Sequence, residues 1–297
     1  MGLSYRNLKA DDWIILDTLT PSDGSRAPGG QPNIFSINSV DFSLAYGVSD
    51  RLSLQLTVPT ASGSNSRIHS DGIRHVTRGS GLGDINLVGT MWLLDPLTHG
   101  TGNIAVGLGV KAPTGSNAIT GDFALPSGIV QHAVHPGIQM GDGGWGIMVQ
   151  AQAFSRLTGR LSGYVFGSYQ LSPRNTSEAT LTPASVSRLS VPDVYHARLG
   201  LALAVLPRQG LSASLGFRAD GIPVRDLIGS SDGFRASARS VFIDPGLSVS
   251  VGQNDFTLSV PIRVHGEFFR GQPLPDGQSD RGDLAKRLIF VSYTRRL

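Results

Sequence analysis

Residues 240–265 read S-V-F-I-D-P-G-L-S-V-S-V, then G-Q-N-D, then F-T-L-S-V-P-I-R-V-H. In the first arm the large apolar residues are Val241, Ile243, Leu247, Val249 and Val251, with Asp244, Ser248 and Ser250 between them. In the second arm Phe256, Leu258, Val260, Ile262 and Val264 alternate with Thr257, Ser259, Arg263 and His265. A period of two marks a strand with one apolar and one polar face, and the Gly-Gln-Asn-Asp run is turn chemistry, so the stretch predicts an antiparallel hairpin. Each arm has about the 9–11 residues that a tilted strand needs to cross a bilayer, against about 5–6 for a strand of a soluble domain.

The same rhythm recurs along the chain and predicts twelve strands. Ten more segments join the two arms of the hairpin, at 2–9, 34–48, 51–58, 83–94, 103–111, 145–154, 160–171, 194–205, 211–219 and 286–296. The connections alternate. Short ones are expected at 49–50, 95–102, 155–159, 206–210 and 252–253. Long ones, rich in Gly, Ser, Pro, Asp and Arg, are expected at 10–33, 59–82, 112–144, 172–193, 220–239 and 266–285. An even strand number with short turns at one end and long loops at the other is the pattern of an outer-membrane barrel. The fold expected is therefore an all-β, transmembrane, antiparallel up-and-down barrel, one domain over 1–297, in the bacterial outer membrane with both termini periplasmic.

Aromatic placement gives an independent sign, because lipid-facing Trp and Tyr gather at the two interfaces. Trp145, Tyr169, Tyr195 and Phe217 fall near the loop ends of their strands, and Tyr46, Phe256 and Tyr293 near the turn ends. Trp92 is the exception, since the alternation turns it inward.

Composition agrees. Among 297 residues there are 38 glycines, no cysteine and only 16% charged residues, which excludes a disulfide framework and thiolate metal sites. No run approaches the 18 or more apolar residues of a membrane helix. The net charge of +3 is scattered, with no basic helix or aromatic platform, which argues against nucleic acid as a partner. The start of the sequence shows no signal peptide, so an exported protein implies a leader removed or a truncated start.

Reading the other parity of each strand gives the lumen. Arg51, Lys111, Arg198, Arg218, Arg263 and Arg296 are expected to point inward, with Asp41, Asp84, Asp220, Asp244 and Glu267 as counter-charges and His196 and His265 in the same network. Rings of charge set pore selectivity, and the excess of Arg favours anions; the competing reading is that the charges pair across the lumen and brace it. The loop 221–235, G-I-P-V-R-D-L-I-G-S-S-D-G-F-R, is unusually apolar, so Val224, Arg225, Asp226 and Phe234 are expected at a constriction, with 112–144 as the rival plug.

Two segments carry a resemblance. Ser80-Gly81-Leu82-Gly83-Asp84-Ile85, and Asn103 through Gly115 (N-I-A-V-G-L-G-V-K-A-P-T-G), resemble the outer-membrane transporter proteins of the phenol-degradation (MetA-pathway) family. The resemblance implies a barrel that passes small molecules, aromatic ones among them, without catalytic residues. The ending Tyr293-Thr294-Arg295-Arg296-Leu297 departs from the aromatic last residue usual in such barrels.

The expected function is passive passage of hydrophobic, aromatic or weakly anionic solutes, with outer-membrane lipid and the barrel-assembly machinery as partners and no cofactor. The alternative is a non-conducting barrel whose outer loops serve adhesion. A barrel lipid hydrolase is the third reading, disfavoured because both strand histidines, His196 and His265, are expected inward and no Gly-x-Ser-x-Gly occurs. His69, His75, His132 and His135 lie on two outer loops without a carboxylate cluster, and no metal site is assigned to them.

Overall fold

A computed structural model of the chain describes residues 1–15, 18–19, 33–180, 182–269 and 281–296. The polypeptide runs up and down through twelve staves. They are β1 (Gly2–Ile15), β2 (Ile34–Gly47), β3 (Leu52–Ile68), β4 (Arg74–Leu82 continued by Ile85–Trp92), β5 (Gly102–Ala112) and β6 (Gly146–Arg156). The circuit goes on through β7 (Leu161–Leu171), β8 (Val194–Leu206), β9 (Leu211–Ile222), β10 (Ala238–Val251), β11 (Asn254–Ser259 continued by Ile262–Phe268) and β12 (Arg281–Arg295). Each stave pairs antiparallel with the next, and β12 pairs with β1 from Gly2↔Thr294 to Ile15↔Arg281. The all-β barrel is closed.

The outward parity carries the apolar band. Phe42, Leu44, Leu108, Leu199, Leu215, Leu247 and Val264 are all exposed on the wall, Leu108 at 65%. Exposed side chains of this kind at every second position would be ruinous in water and are what hydrocarbon requires. The turn between β10 and β11 reverses at Gly252, whose φ of +61° is a conformation that glycine enters without strain.

Two departures from the alternation have physical causes. The expected loop 59–82 is mostly strand. β3 continues to Ile68 and pairs with Arg74–Leu82 from Thr60↔Leu82 to Ile68↔Arg74, leaving only 69–73 as the tip. Residues 60–66, T-A-S-G-S-N-S, offer no large apolar face because this hairpin stands beyond the lipid band, so apolar periodicity alone missed it. β12 likewise starts at Arg281 rather than at 286. The remainder of the expected loops 10–33 and 266–285 falls largely outside the described residues.

The second departure is at β11. Its ladder to β10 shifts register between Val241↔His265 and Phe242↔Arg263, a β-bulge. On its other edge the described pairing to β12 runs from Asn254↔Arg295 to Ser259↔Phe290, then resumes only at Ile262↔Arg287. Above that level side chains close the wall: Phe268 and Ala238 are buried together, with Leu284 and Ala236 packed against them.

The band is testable at one residue. Leu108→Arg on the lipid face of β5 is expected to cost about 2–4 kcal/mol if Leu108 lies near the bilayer midplane, read as a lowered urea midpoint for the protein folded in lipid vesicles.

Candidate functional site

Inside the barrel the charges are grouped. Lys111 on β5 is 5% exposed, and its Nζ donates to Asp84 Oδ2 at 2.8 Å and to Asp142 Oδ1 at 2.6 Å. Asp84 sits in the break within β4, where its Oδ1 also accepts from the Gly115 N–H at 2.9 Å. Asp142 belongs to the loop 113–145, so Lys111 ties that loop to the wall. On the opposite staves Arg198 donates through Nε (2.9 Å) and Nη2 (2.7 Å) to Asp244 Oδ2, and Asp244 is 1% exposed. The other oxygen of Asp244 accepts from Ser259. Asp220 receives Arg218 Nε at 2.8 Å on one oxygen and bonds His196 Nδ1 with the other. Arg218 also lies over the Phe290 ring at 4.5 Å. Arg263 stands opposite Phe242 in the ladder.

The apolar centre of the lumen is built from wall and loop together. Ala10 of β1, Phe35 of β2, Phe242 of β10 and Ala285 and Leu288 of β12 are buried with Val134 and Ile138 of the loop 113–145, and Leu8, Ile37, Ile119 and Phe290 pack around them. Ile138 is 1% exposed. A single 3-10 turn, Pro136–Ile138, presents it, with the His135 ring accepting from the Gly137 N–H at 3.1 Å and standing 4.7 Å from the Phe35 ring. These residues were missed in the sequence. The signal was there: Phe35, Ile37, Phe242, Leu288 and Phe290 are large apolar residues on the parity that should be polar.

Val224, Arg225, Asp226 and Phe234 do not belong to that cluster. Asp226 instead forms a buried pair with Arg235, whose Nη1 reaches Asp226 Oδ1 at 2.8 Å, and the same oxygen accepts from the Asp193 N–H at 2.8 Å. Phe234 exchanges backbone bonds with Arg188 and Ser190 at 2.7 and 2.8 Å. Arg225 is exposed. The loop is thus fastened sideways to the loop 172–193, whose Asp193 also accepts from Tyr169 Oη at 2.9 Å.

Several expected lumen residues lie elsewhere. Arg51 is in the turn before β3, half-exposed, 3.9 Å from Asp95. Arg296 lies at the turn end, donating to the Gly252 carbonyl at 3.0 Å. The β11 bulge turns His265 to the face of Val241, outside the barrel, 3.7 Å from Glu267, and Glu267 pairs there with Arg239. No serine among the described residues hydrogen-bonds to the His265 ring. Of the aromatic belts, Tyr46 (70%), Trp145 (62%), Phe217 (53%) and Phe256 (46%) are exposed on the wall. Tyr195 stands opposite Tyr169 in the ladder, and the Tyr293 ring is 5.0 Å from that of Phe256.

Three of the loop histidines meet. His69 is stacked between His75 (4.7 Å) and Phe123 (4.5 Å), and His132 approaches the far edge of Phe123 at 5.9 Å. His69 Nδ1 accepts from the buried Ala124 N–H at 3.0 Å, joining the tip of the β3–β4 hairpin to the small hairpin Thr120–Leu125 and Gly128–Ala133. Burial first, then the charge of Arg67, pushes the His69 pKa down to about 4, and the same two causes push His135 to about 3.

Both rings are therefore held neutral when docked. A detached histidine takes up a proton below about pH 6.5, so the contact weakens as pH falls from there toward about 4 for His69 and about 3 for His135, and changes little below. The protection factors of the amides across 120–133, corrected for the intrinsic pH dependence of exchange, are expected to fall over that window. His69→Gln, which keeps an acceptor but does not titrate, should make the dependence shallower.

No family model and no curated protein matches the sequence. Among solved structures the chain is similar to the crystal structure of an outer membrane channel from Pseudomonas putida F1, with a TM-score of 0.66 and 14% identity over 99% of this chain and 93% of that one. It is also similar to a TodX deltaS2S3 mutant monoaromatic hydrocarbon channel, with a TM-score of 0.50 and 10% identity over 100% of this chain and 90% of that one. At such identities the likeness is one of architecture: the chain has the fold of an outer-membrane β-barrel channel.

Proposed function

We propose that the whole chain, as one domain, is an outer-membrane channel for the passive passage of small hydrophobic, aromatic or weakly anionic molecules. The observation that carries this reading is that inward charged side chains remain open to solvent. Arg198 and Asp220 face the lumen, yet their side chains are 33% and 31% exposed. A lumen that served only to brace the wall would be filled. The loop 113–145 is the constriction in this proposal, because Ile138 enters the apolar centre while Lys111, braced by Asp84 of the wall, holds the loop through Asp142. Outer-membrane lipid surrounds the band, and biogenesis requires the barrel-assembly machinery.

The second reading, a surface-interaction barrel, is favoured by apolar residues exposed at the loop end: Leu227 (72%), Val186 (72%), Ile129 (67%) and Ile228 (51%).

Single-channel recording of the refolded protein in planar bilayers decides between them. Discrete steps are expected, with a reversal potential leaning toward anions. Ile138→Asp puts a charge into the apolar centre and is expected to expel the loop and raise the mean conductance, while deletion of 224–234 should leave it unchanged. A rise only in the deletion would move the constriction to the loop 223–237. Silence from protein whose folding is shown by a heat-dependent gel shift would favour the surface reading.

A further inference from the structure

Trp92 is left without a role by the belts and by the plug, and the ladder registers give it one. Trp92 ends β4, and register partners lead from it through Ala105 and Gln152 to Phe166 on β7. From Phe166 the row passes to Arg198, Arg218, Phe242 and Arg263 on β8 to β11, each directly opposite the next. All stand on the inward parity. Because barrel strands are tilted, a row of register partners climbs as it goes round. Trp92 is at the turn end of its stave, whereas Arg263 is in the upper segment of β11, so the row is a rising spiral.

Its chemistry is graded. The lower part is aromatic: Trp92 meets Phe154 edge to face at 5.9 Å, and Phe166 lies further along. Below the arginines the wall is glycine, overlaid by Tyr164. A Cβ on Gly200 or Gly216 would come within 2.6 and 2.8 Å of Tyr164 Oη, so the phenol lies across the two glycines. Arg218 donates to its carboxylate through Nε at 2.8 Å. Phe290 lies under the guanidinium, its ring centroid 4.5 Å from Cζ. Just before its upper end at Arg263 the row passes Phe242, which shares the apolar cluster with Ile138, so the row adjoins the plug.

We infer that this spiral is a conduction track for small aromatic carboxylates, which takes the channel reading above as given. Rings stack in turn on Phe166 and Trp92, and the carboxylate passes between the guanidiniums, whose planar donors suit it. The contacts are several and individually weak, which is what lets a solute leave as well as enter.

The test uses the full chain in planar bilayers, with benzoate, acetate and chloride as the probe anions. Benzoate is expected to permeate better than the smaller acetate by roughly threefold or more, the scale of one aromatic contact. Trp92→Leu should bring the benzoate-to-acetate ratio down, and Phe166→Leu serves if that variant does not fold. Arg218→Gln should reduce the permeation of both carboxylates relative to a cation. A benzoate ratio at or below that of acetate, or a ratio unmoved by both aromatic variants, overturns the track and leaves the channel standing. Absence of any ionic current from folded protein overturns the channel reading, and the track with it.

Discussion

A hydrocarbon slab offers no partner to a peptide N–H or C=O, so a chain that crosses it in strands must satisfy every backbone group on a neighbouring strand. The pairing of β12 with β1 is the interaction that makes this achievable here. Everything else in the architecture is arranged around a circuit that has to close. The staves are long because they cross obliquely, the turns at one end are tight, and the outward parity is apolar with little regard for which apolar residue is used.

The interior obeys different physics. Charges there face a confined lumen, some still open to solvent, and they stand in company: Lys111 between two aspartates, Arg198 against Asp244, and Arg218 sharing Asp220 with His196. Such pairs gain little net stability once desolvation is counted, but losing one partner is costly, which makes them good fasteners. The lumen is also lopsided. Apolar side chains of β1, β2, β10 and β12 receive the plug, while β8 and β9 carry the arginines. In the proposed channel the loop 113–145 blocks the greasy side of the barrel, and the charged side beside it is the lane for solutes.

How much of this could be read from the chain depended on which residues carried a period. The apolar band did: Val241 through Val251 and Phe256 through Val264 dictate a lipid-facing hairpin with no further information. The upper hairpin 60–82 did not, because above the membrane both faces are polar and alternation vanishes. His265 was misplaced by one residue of bulge, and a single slip reverses every side chain beyond it. The plug was invisible for another reason. Ile138 acquires its meaning only from Phe35 and Leu288, which lie about a hundred or more positions away, and no local pattern announces that meeting. Phe242 and Phe290 did break the polar parity, and such breaks are the trace that an interior contact leaves in a strand.

The closing seam has a kinetic side. Gly2 and Thr294 stand opposite each other with almost the whole polypeptide between them, and chain statistics charge about 5 kcal/mol for bringing such distant ends together. The ladder that seals the wall is thus the last that synthesis permits. A chain missing its final segment would keep two bare edges, each seeking a strand from another molecule. For this topology truncation near the C-terminus and aggregation are the same event, whereas an insertion at the 69–73 tip would leave the order of assembly untouched.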